Sequence, residues 1–384
     1  MIKVLFLSQW YPHRYDPMAG LFVKKHAEAV SKYCNVKVLY VYADENVDNF
    51  EIIISGDLNF SEVVVYYPNK RNKLFYKFSK TINYIRAYWK GYKQIKEDGF
   101  IPDIVHANIL TRTAFVAYLL KVWKGIPYVI TEHWSRYLPN RNAYNGFLRK
   151  RITELVVKNS KAVLPVSENL MQAMKKHNLQ NPNYKVINNV VDECFFKDYP
   201  IQQHNKKRIL NVTCFLEQAK NIFGLLRVIK QLSNYRNDFE LILIGTGTDF
   251  NITNEYAKSL HFEDGIVNFI GLKTSIEVAE IMSDVDFIVL FSNYETAGVV
   301  IAESLVSGKP VLSTKVGIAI ECINDSNGKL VNIGNENELF EKINYMLDNI
   351  TTYKKEEIKK DSQNIFSYQS IGEMIYEIYS NAIK

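Results

Sequence analysis

The sequence predicts an α/β protein of two Rossmann-like domains facing each other across a cleft, with the C-terminal helix returning to the first domain. Three observations predict it. At 384 residues the chain exceeds what one hydrophobic core organises, so two domains are expected. Short β-branched runs alternate throughout with longer segments of helical period, the pattern of parallel α/β units. A polar stretch near 197–207, Lys-Asp-Tyr-Pro-Ile-Gln-Gln-His-Asn-Lys-Lys, separates two halves of the same rhythm.

The first-half runs are Lys3–Leu7, Val36–Tyr42, Val63–Tyr67, Asp103–Ala107, Tyr128–Thr131 and Ala162–Val166. Their consecutive apolar positions fit parallel strands covered on both faces. The second half offers Ile209–Thr213, Glu240–Ile244, Ile266–Ile270, Phe287–Phe291, Pro310–Ser313 and Lys329–Val331. From Tyr368 onward Ile371, Met374, Ile375, Ile378 and Ile383 make a helical stripe, which must be buried somewhere. The expected domains are therefore 1–196, joined by 367–384, and 197–366.

The net charge of +6 conceals a split. Residues 1–190 hold 28 Lys+Arg against 14 Asp+Glu, and residues 191–384 hold 19 against 27. A balance of +14 against −8 implies that the halves meet different surfaces. The densest basic run, Lys70–Asp98, has nine bases and two acids. Within it Phe75, Phe78, Ile82, Ile85, Trp89 and Tyr92 are spaced by three or four residues, one helical face expected against the first-domain sheet. Its basic flanks, with Tyr84 and Tyr88, offer a contact for anionic lipid head groups. No motif supports nucleic acid as a partner.

Cys34, Cys194, Cys214 and Cys322 lack metal-ligand spacing and read as reduced thiols. No apolar run approaches the ~18 residues of a membrane span, and the opening run is shorter than the ~7–15 residues of a signal-peptide core. The expected location is the cytoplasm, peripheral to the inner face of the cell membrane.

The stretch most telling of chemistry runs from Phe287 to Val311: strand, loop, helix, Gly turn, strand. Ligands of open parallel sheets bind beyond the carboxyl ends of strands. Glu295 falls in such a loop and Gly298 at the helix start, where unpaired N–H groups and the helix dipole favour a phosphate. Glu303 follows Glu295 by eight residues. Two carboxylates thus bracket an anion-binding helix end, fit to accept hydrogen bonds from sugar and ribose hydroxyls. Taken alone, Glu303 reads as a surface carboxylate, Lys220 as a solvated lysine and His133 as a packed neighbour of Trp134. Gly245-Thr246-Gly247 lacks the third Gly and the acidic residue of a dinucleotide fingerprint, and reads as a turn at a strand end.

The Glu295-x7-Glu303 stretch resembles the signature of retaining glycosyltransferase family 4, glycosyl transferases group 1, whose fold is GT-B. Ser307, Gly308-Lys309-Pro310-Val311 and the loop Thr314–Glu321 continue the resemblance. Tyr11-Pro12 with Gly20, Pro102–Ala107, Thr131-Glu132-His133, Val166-Ser167-Glu168, Val186–Asp192, Gly245-Thr246-Gly247 and Phe269-Ile270-Gly271 resemble its other motifs in order. The resemblance implies that the second domain holds a nucleoside-diphosphate sugar. Glu303 would bind the ribose, Glu295 the transferred sugar, and the amides of Gly298 and Val299 with Lys220 the diphosphate. Gly245 and Gly271 would lie at the donor, Gly20 in an acceptor or phosphate loop, and His133 at the transferred sugar.

It further implies a hexosyltransferase-type enzyme needing neither cofactor nor metal, working on a glycan or lipid-linked acceptor in cell-surface polysaccharide synthesis. Two rivals share the fold: a sugar-nucleotide epimerase and a non-catalytic sugar-nucleotide-binding relative. The sequence departs from the family where Cys214 replaces an Arg of the diphosphate clamp, where Ala19-Gly20 replaces Gly-Gly, and where Gly317-Ile318 replaces a second Gly-Gly.

Overall fold

The computed structural model describes residues 1–69 and 76–384, with side chains from Thr81 in the second segment. It divides into two compact units. The first comprises Met1–Val166, Leu170–Val190 and Tyr368–Lys384; the second comprises Ser167–Asn169 and Val191–Ser367. The passage at Val190–Val191 precedes the expected joint, because Val191 and Phe195 are buried in the core of the second unit.

In the first unit the chain runs β1 (Lys3–Ser8), α1 (Leu21–Ser31), β2 (Asn35–Asp44), β3 (Glu51–Gly56), β4 (Phe60–Pro68), α2 (Tyr76–Glu97), β5 (Ile104–Asn108), α3 (Arg112–Lys124), β6 (Tyr128–Glu132), α4 (Phe147–Asn159), β7 (Ala162–Pro165) and α5 (Glu168–Lys176), the last beginning in the second unit. The strands order as β3-β4-β2-β1-β5-β6-β7. All pair in parallel except β3, which is antiparallel to β4. Val4–Leu7 are wholly buried, as the opening apolar run predicts for a strand covered on both faces.

The second unit continues with β8 (Lys207–Val212), α6 (Glu217–Lys220), α7 (Ile222–Ser233), β9 (Phe239–Ile244), α8 (Phe250–Ser259), β10 (Val267–Gly271), α9 (Ser275–Ser283), β11 (Phe287–Leu290), α10 (Val299–Val306), β12 (Val311–Thr314), α11 (Ala319–Cys322), β13 (Gly328–Val331), α12 (Glu336–Asn349) and α13 (Lys355–Phe366). Its sheet is wholly parallel, ordered β10-β9-β8-β11-β12-β13. Strand order reverses between β8 and β11 here, and between β1 and β5 in the first unit. These switch points are where open α/β sheets form ligand crevices.

The last helix, α14 (Tyr368–Ala382), belongs to the first unit and packs on α1. Ile371, Ile375 and Tyr379 are fully buried. The Tyr379 hydroxyl lies 2.5 Å from His106 Nδ1, and His106 Nε2 lies 2.6 Å from Thr131 Oγ1. The stripe read from the sequence thus finds its partner, plus a polar anchor on β5 and β6.

The face assigned to α2 requires correction. Of the expected stripe, Phe75 lies outside the described residues and the Phe78 side chain outside the described side chains. Ile82 is 41% exposed, and Ile85, Trp89 and Tyr92 are half-buried. The buried side is Ala87, Tyr88, Gly91 and Ile95. A Cβ on Gly91 would stand 2.3 Å from Leu39 Cδ1, so the small residues let the helix approach β2 closely. Tyr88 is 1% exposed and donates to Ser8 O at 2.9 Å. It therefore faces the sheet and not a lipid surface, and Tyr84 is half-buried beside it with ring centroids 5.0 Å apart.

Candidate functional site

The second-unit site is built at the β8/β11 switch point. After β8 the chain turns through exposed Cys214 into the single-turn helix α6, which Lys220 ends. Asn221 then takes a left-handed conformation, φ 49°, and starts α7. After β11 the loop 291–298 returns past α6: Asn293 N donates to Ala219 O at 2.7 Å, and Asn293 Nδ2 to Gln218 O at 3.1 Å. On its other side Ile318 N donates to Ala297 O at 2.9 Å, and Thr314 Oγ1 at the end of β12 donates to Ser292 O at 2.7 Å.

This scaffold brings Lys220 and Glu295 together in an ion pair. Ser292 Oγ donates to the same carboxylate oxygen at 2.9 Å. Side-chain exposures of 17% and 14% leave the pair shielded but reachable. Burial opposes the charge on Lys220, yet Glu295, with help from Cys214, outweighs it and sets the pKa above the ordinary lysine value. The ammonium is therefore held charged in a partly dry place, where its field is strong.

Gly298, φ 77°, caps α10 without a side-chain hydrogen bond. Val299 opens the helix, and its amide is among the first-turn donors that a helix cannot satisfy internally. Glu303, half-buried, lies on the same helix one turn further on. Glu295, Gly298, Val299 and Glu303 thus share one loop–helix junction, with Lys220 joined to it through Glu295.

Gly245 and Gly271 form a separate pair at the ends of β9 and β10, the Gly245 amide donating to Gly271 O at 2.9 Å. A Cβ on Gly245 would stand 1.8 Å from Thr213 O, so only glycine lets the end of β9 meet the end of β8. Phe215 N donates to Thr246 O at 3.1 Å, which ties this turn to the segment leading into α6.

In the first unit Gly20 is the left-handed cap of α1, next to the β1 loop. His133 follows β6 and is 7% exposed. Its ring lies 4.5 Å from Phe22 and 5.4 Å from His26. Burial first, then His26 and His106, holds its pKa well below the ordinary histidine value, so the ring is neutral. A neutral imidazole offers one donor and one acceptor and cannot act as a cationic acid near neutral pH.

Sequence reasoning missed Ser292 and gave no role of their own to Thr314 and Glu132, which it quoted only within longer motifs. Ser292 and Thr314 are polar residues at the carboxyl ends of buried strands, a signal open to a reader looking for loop ties. Glu132 ends the apolar run of β6 and is fully buried. It accepts from the amides of Leu110, His133 and Trp134 at 2.8–3.0 Å. Burial raises its pKa to about 7 against the lowering effect of those donors and Arg136. Its role is to hold the loop that carries His133.

Comparison with known proteins bears on this geometry. Residues 34–194 match the model for "Glycosyltransferase Family 4", and residues 196–364 that for "Glycosyl transferases group 1". The chain belongs to the group 1, family 4 glycosyltransferases. An uncharacterized glycosyltransferase of Methanocaldococcus jannaschii is 29% identical over 69% of this chain and 70% of its own. The N-acetyl-alpha-D-glucosaminyl L-malate synthase of Bacillus anthracis is 27% identical over 60% of this chain and 62% of its own. Among solved structures, a sucrose-phosphate synthase from Thermosynechococcus elongatus superposes with a TM-score of 0.76 at 18% identity, covering 99% of both chains. Anabaena HepE in complex with UDP gives 0.75 at 18% identity, over 99% of this chain and 100% of that one. The glycosyltransferase fold thus extends over both units.

Proposed function

We propose that this chain transfers a hexose from a nucleoside-diphosphate sugar to a glycan or lipid-linked acceptor, with retention of anomeric configuration and without a metal, in cell-surface polysaccharide synthesis. The observation that carries the reading is the Lys220–Glu295 pair beside the open amide end of α10. Departure of a nucleoside diphosphate develops negative charge, and fixed donors with a shielded ammonium lower the barrier to it. Solved relatives in complex with UDP and with UDP-glucose support a nucleotide sugar as donor.

In this reading Glu303 holds the ribose, Glu295 the hydroxyls of the transferred sugar, and Val299 N–H and Lys220 the diphosphate. Gly245 and Gly271 border the donor. Gly20 lies in the acceptor loop, and neutral His133 serves the sugar as a hydrogen-bond partner. With Arg replaced by Cys214, Lys220 is the cation on which the leaving group depends. The enzyme works in the cytoplasm at the inner face of the membrane. Among the described residues no helix is long and apolar enough to cross a membrane.

The test is a thermal-shift screen of nucleoside diphosphates and their sugars, followed by product analysis with the donor that binds. A ligand of the folded state raises the unfolding midpoint with the logarithm of its saturation. Glu303→Ala should weaken binding of every donor, whereas Glu295→Ala should chiefly lower turnover. Isomerised donor without acceptor consumption would instead identify an epimerase, and undiminished transfer by Glu295→Ala would remove its assigned role.

A further inference from the structure

The crossovers of the first unit sort its helices by charge. α1 carries the chain from β1 to β2 in one direction along the sheet, whereas α2, α3 and α4 lead from β4, β5 and β6 in the other direction, to β5, β6 and β7. Right-handed crossovers place these two groups on opposite faces. The second group packs side by side. Trp89 of α2 stacks on Trp123 of α3 with centroids 5.3 Å apart, and Lys121 Nζ of α3 donates to Asn159 O at the end of α4 at 2.7 Å. Residues 81–97 of α2, together with α3 and α4, hold eleven Lys+Arg against two acids. On the other face α1 and α14 hold two against three. The positive excess of these helices therefore lies on one face.

Among the described residues, α4 opens on the most exposed apolar side chains of this layer. Phe147 is 77% and Leu148 71% exposed. Arg149, Lys150 and Arg151 follow, all exposed. The start of a helix is the positive end of its dipole, where acids stabilise and bases do not. Yet the first turn of α4 has no acid, and Gly146 before it gives no side-chain cap. The segment Phe147-Leu148-Arg149-Lys150-Arg151 thus serves the stability of neither the helix nor the core.

We infer that the outer face of the α2–α3–α4 layer lies on an anionic bilayer, with Phe147 and Leu148 inserted at the boundary of head groups and acyl chains. The inference rests on the membrane reading above and assigns it a face and an insertion point outside α2. Exposed apolar side chains flanked by bases fit an interface whose interior is apolar and whose surface is negative. Consecutive strand–helix units run α3 and α4 in the same direction. Trp123 near the carboxyl end of α3 and Phe147 at the amino end of α4 therefore mark opposite ends of the layer, about 20 Å apart for helices of this length. Two apolar points with bases between them hold the layer flat on a surface, where one point would only tether it. A second copy of this face would meet like charge. A nucleic-acid strand binds through aromatic faces on which its bases stack, and Leu148 and Val122 offer none.

Partition of the full chain onto vesicles of phosphatidylglycerol and phosphatidylcholine tests this, with polyuridylate as the nucleic-acid arm. Phe147→Ser together with Leu148→Ser should weaken partition at least tenfold at both low and high salt, because apolar insertion is not screened. Arg149→Gln, Lys150→Gln and Arg151→Gln together should weaken it about a hundredfold at low salt and far less at high salt. Ile276→Ser, which removes a 58% exposed apolar side chain from the second unit, should change nothing. All three variants should unfold at the wild-type midpoint, which shows them folded. Wild-type partition that is indifferent to the loss of Phe147 and Leu148 would overturn the inference and leave a membrane contact on α2 standing. No partition by the wild-type protein would remove both. Tighter binding to polyuridylate than to the vesicles would also overturn the inference.

Discussion

Lys220 shows how a single residue can be legible in type and hidden in partnership. Its position after a buried run, ahead of a helical one, marks it as a strand-end lysine. Nothing in the spacing says that Glu295, 75 residues later, closes on it, because that contact depends on β8 and β11 becoming neighbours at the switch point. The pairing has a measurable consequence. Glu295 offsets the burial that would otherwise depress the Lys220 pKa. Glu295→Gln should therefore let that pKa fall, and the alkaline limb of nucleoside-diphosphate affinity should move to lower pH. Isothermal titration of the diphosphate from pH 7 to 10 reads this; superimposable limbs would place the diphosphate away from Lys220. Lys220→Ala should cut turnover by roughly 10²-fold, measured under saturating donor.

Glu132 and the histidines were less legible, since burial, which sets their protonation, follows only from the assembled sheet. His26 titrates at about 4 because burial disfavours its charge, against a hydrogen bond to Asn188 O. His106 and His133 are shifted the same way. An unfolded histidine takes its proton near 6.5, so below that pH the unfolded chain binds more protons and stability falls. Glu132 works oppositely: its folded pKa of about 7 exceeds the unfolded value of 4.5, and its contribution is lost as pH rises through that window. Four histidines are shifted down, His13 with the three above, against three carboxyls shifted up, Glu132, Glu217 and Glu321, so the unfolding midpoint should drop as pH falls from 6.5 to 5. His133→Phe should make the slope shallower. A midpoint that rises on acidification would mean that the carboxyls dominate.

At the scale of elements, twelve strands could be read from apolar runs because most of these parallel strands are buried on both faces, the edge strand β10 being the exception with no buried residue. The thirteenth, β3, was missed: its β-branched run is only Ile52–Ile54, and as an antiparallel edge strand it leaves all six residues exposed. The α2 face was misread for a related reason. Large aromatics at spacings of three and four draw attention to one stripe, whereas Ala87 and Gly91 decide which side comes close to β2. The α14 stripe was legible at Ile371, Met374, Ile375 and Ile378, whereas Ile383 lies past the helix end and is 40% exposed, and neither the buried Tyr379 nor its polar anchor was legible. Removing the Tyr379 hydroxyl leaves a buried ring nitrogen of His106 without its partner, so Tyr379→Phe should cost about 1–3 kcal/mol. Ile375→Ala should cost about 2–5 kcal/mol. Denaturant unfolding measures both, and a Tyr379→Phe protein of unchanged midpoint would show that α14 is held by apolar packing alone.

At the scale of the whole molecule, the uneven charge is the feature that sequence states best and folding modifies least, because bases seldom leave the surface. The +14 of residues 1–190 needs an anionic counterpart, and a lipid surface is the one proposed. Lys73 lies outside the described residues, and the side chains of Lys77 and Lys80 outside the described side chains, so the argument for them stays with the sequence. Lys90 is exposed on α2. Beside it Trp89 stacks on Trp123, centroids 5.3 Å apart, with Trp123 58% exposed. An exposed tryptophan among bases is suited to the interface between head groups and acyl chains. Each base near an anionic surface contributes about 1 kcal/mol, screened beyond a Debye length. Binding to anionic vesicles should therefore be reversible and fade with salt. Replacing Lys73, Lys77, Lys80 and Lys90 with Gln should weaken it by orders of magnitude, since four such terms multiply. Nucleotide binding should be unchanged, because Lys220, Glu295 and Glu303 lie in the other unit. Co-sedimentation with anionic and neutral vesicles at low and high salt separates the outcomes: equal partitioning onto both kinds, or onto neither, would leave the basic face a solvated surface and remove the reason for placing the acceptor at a membrane.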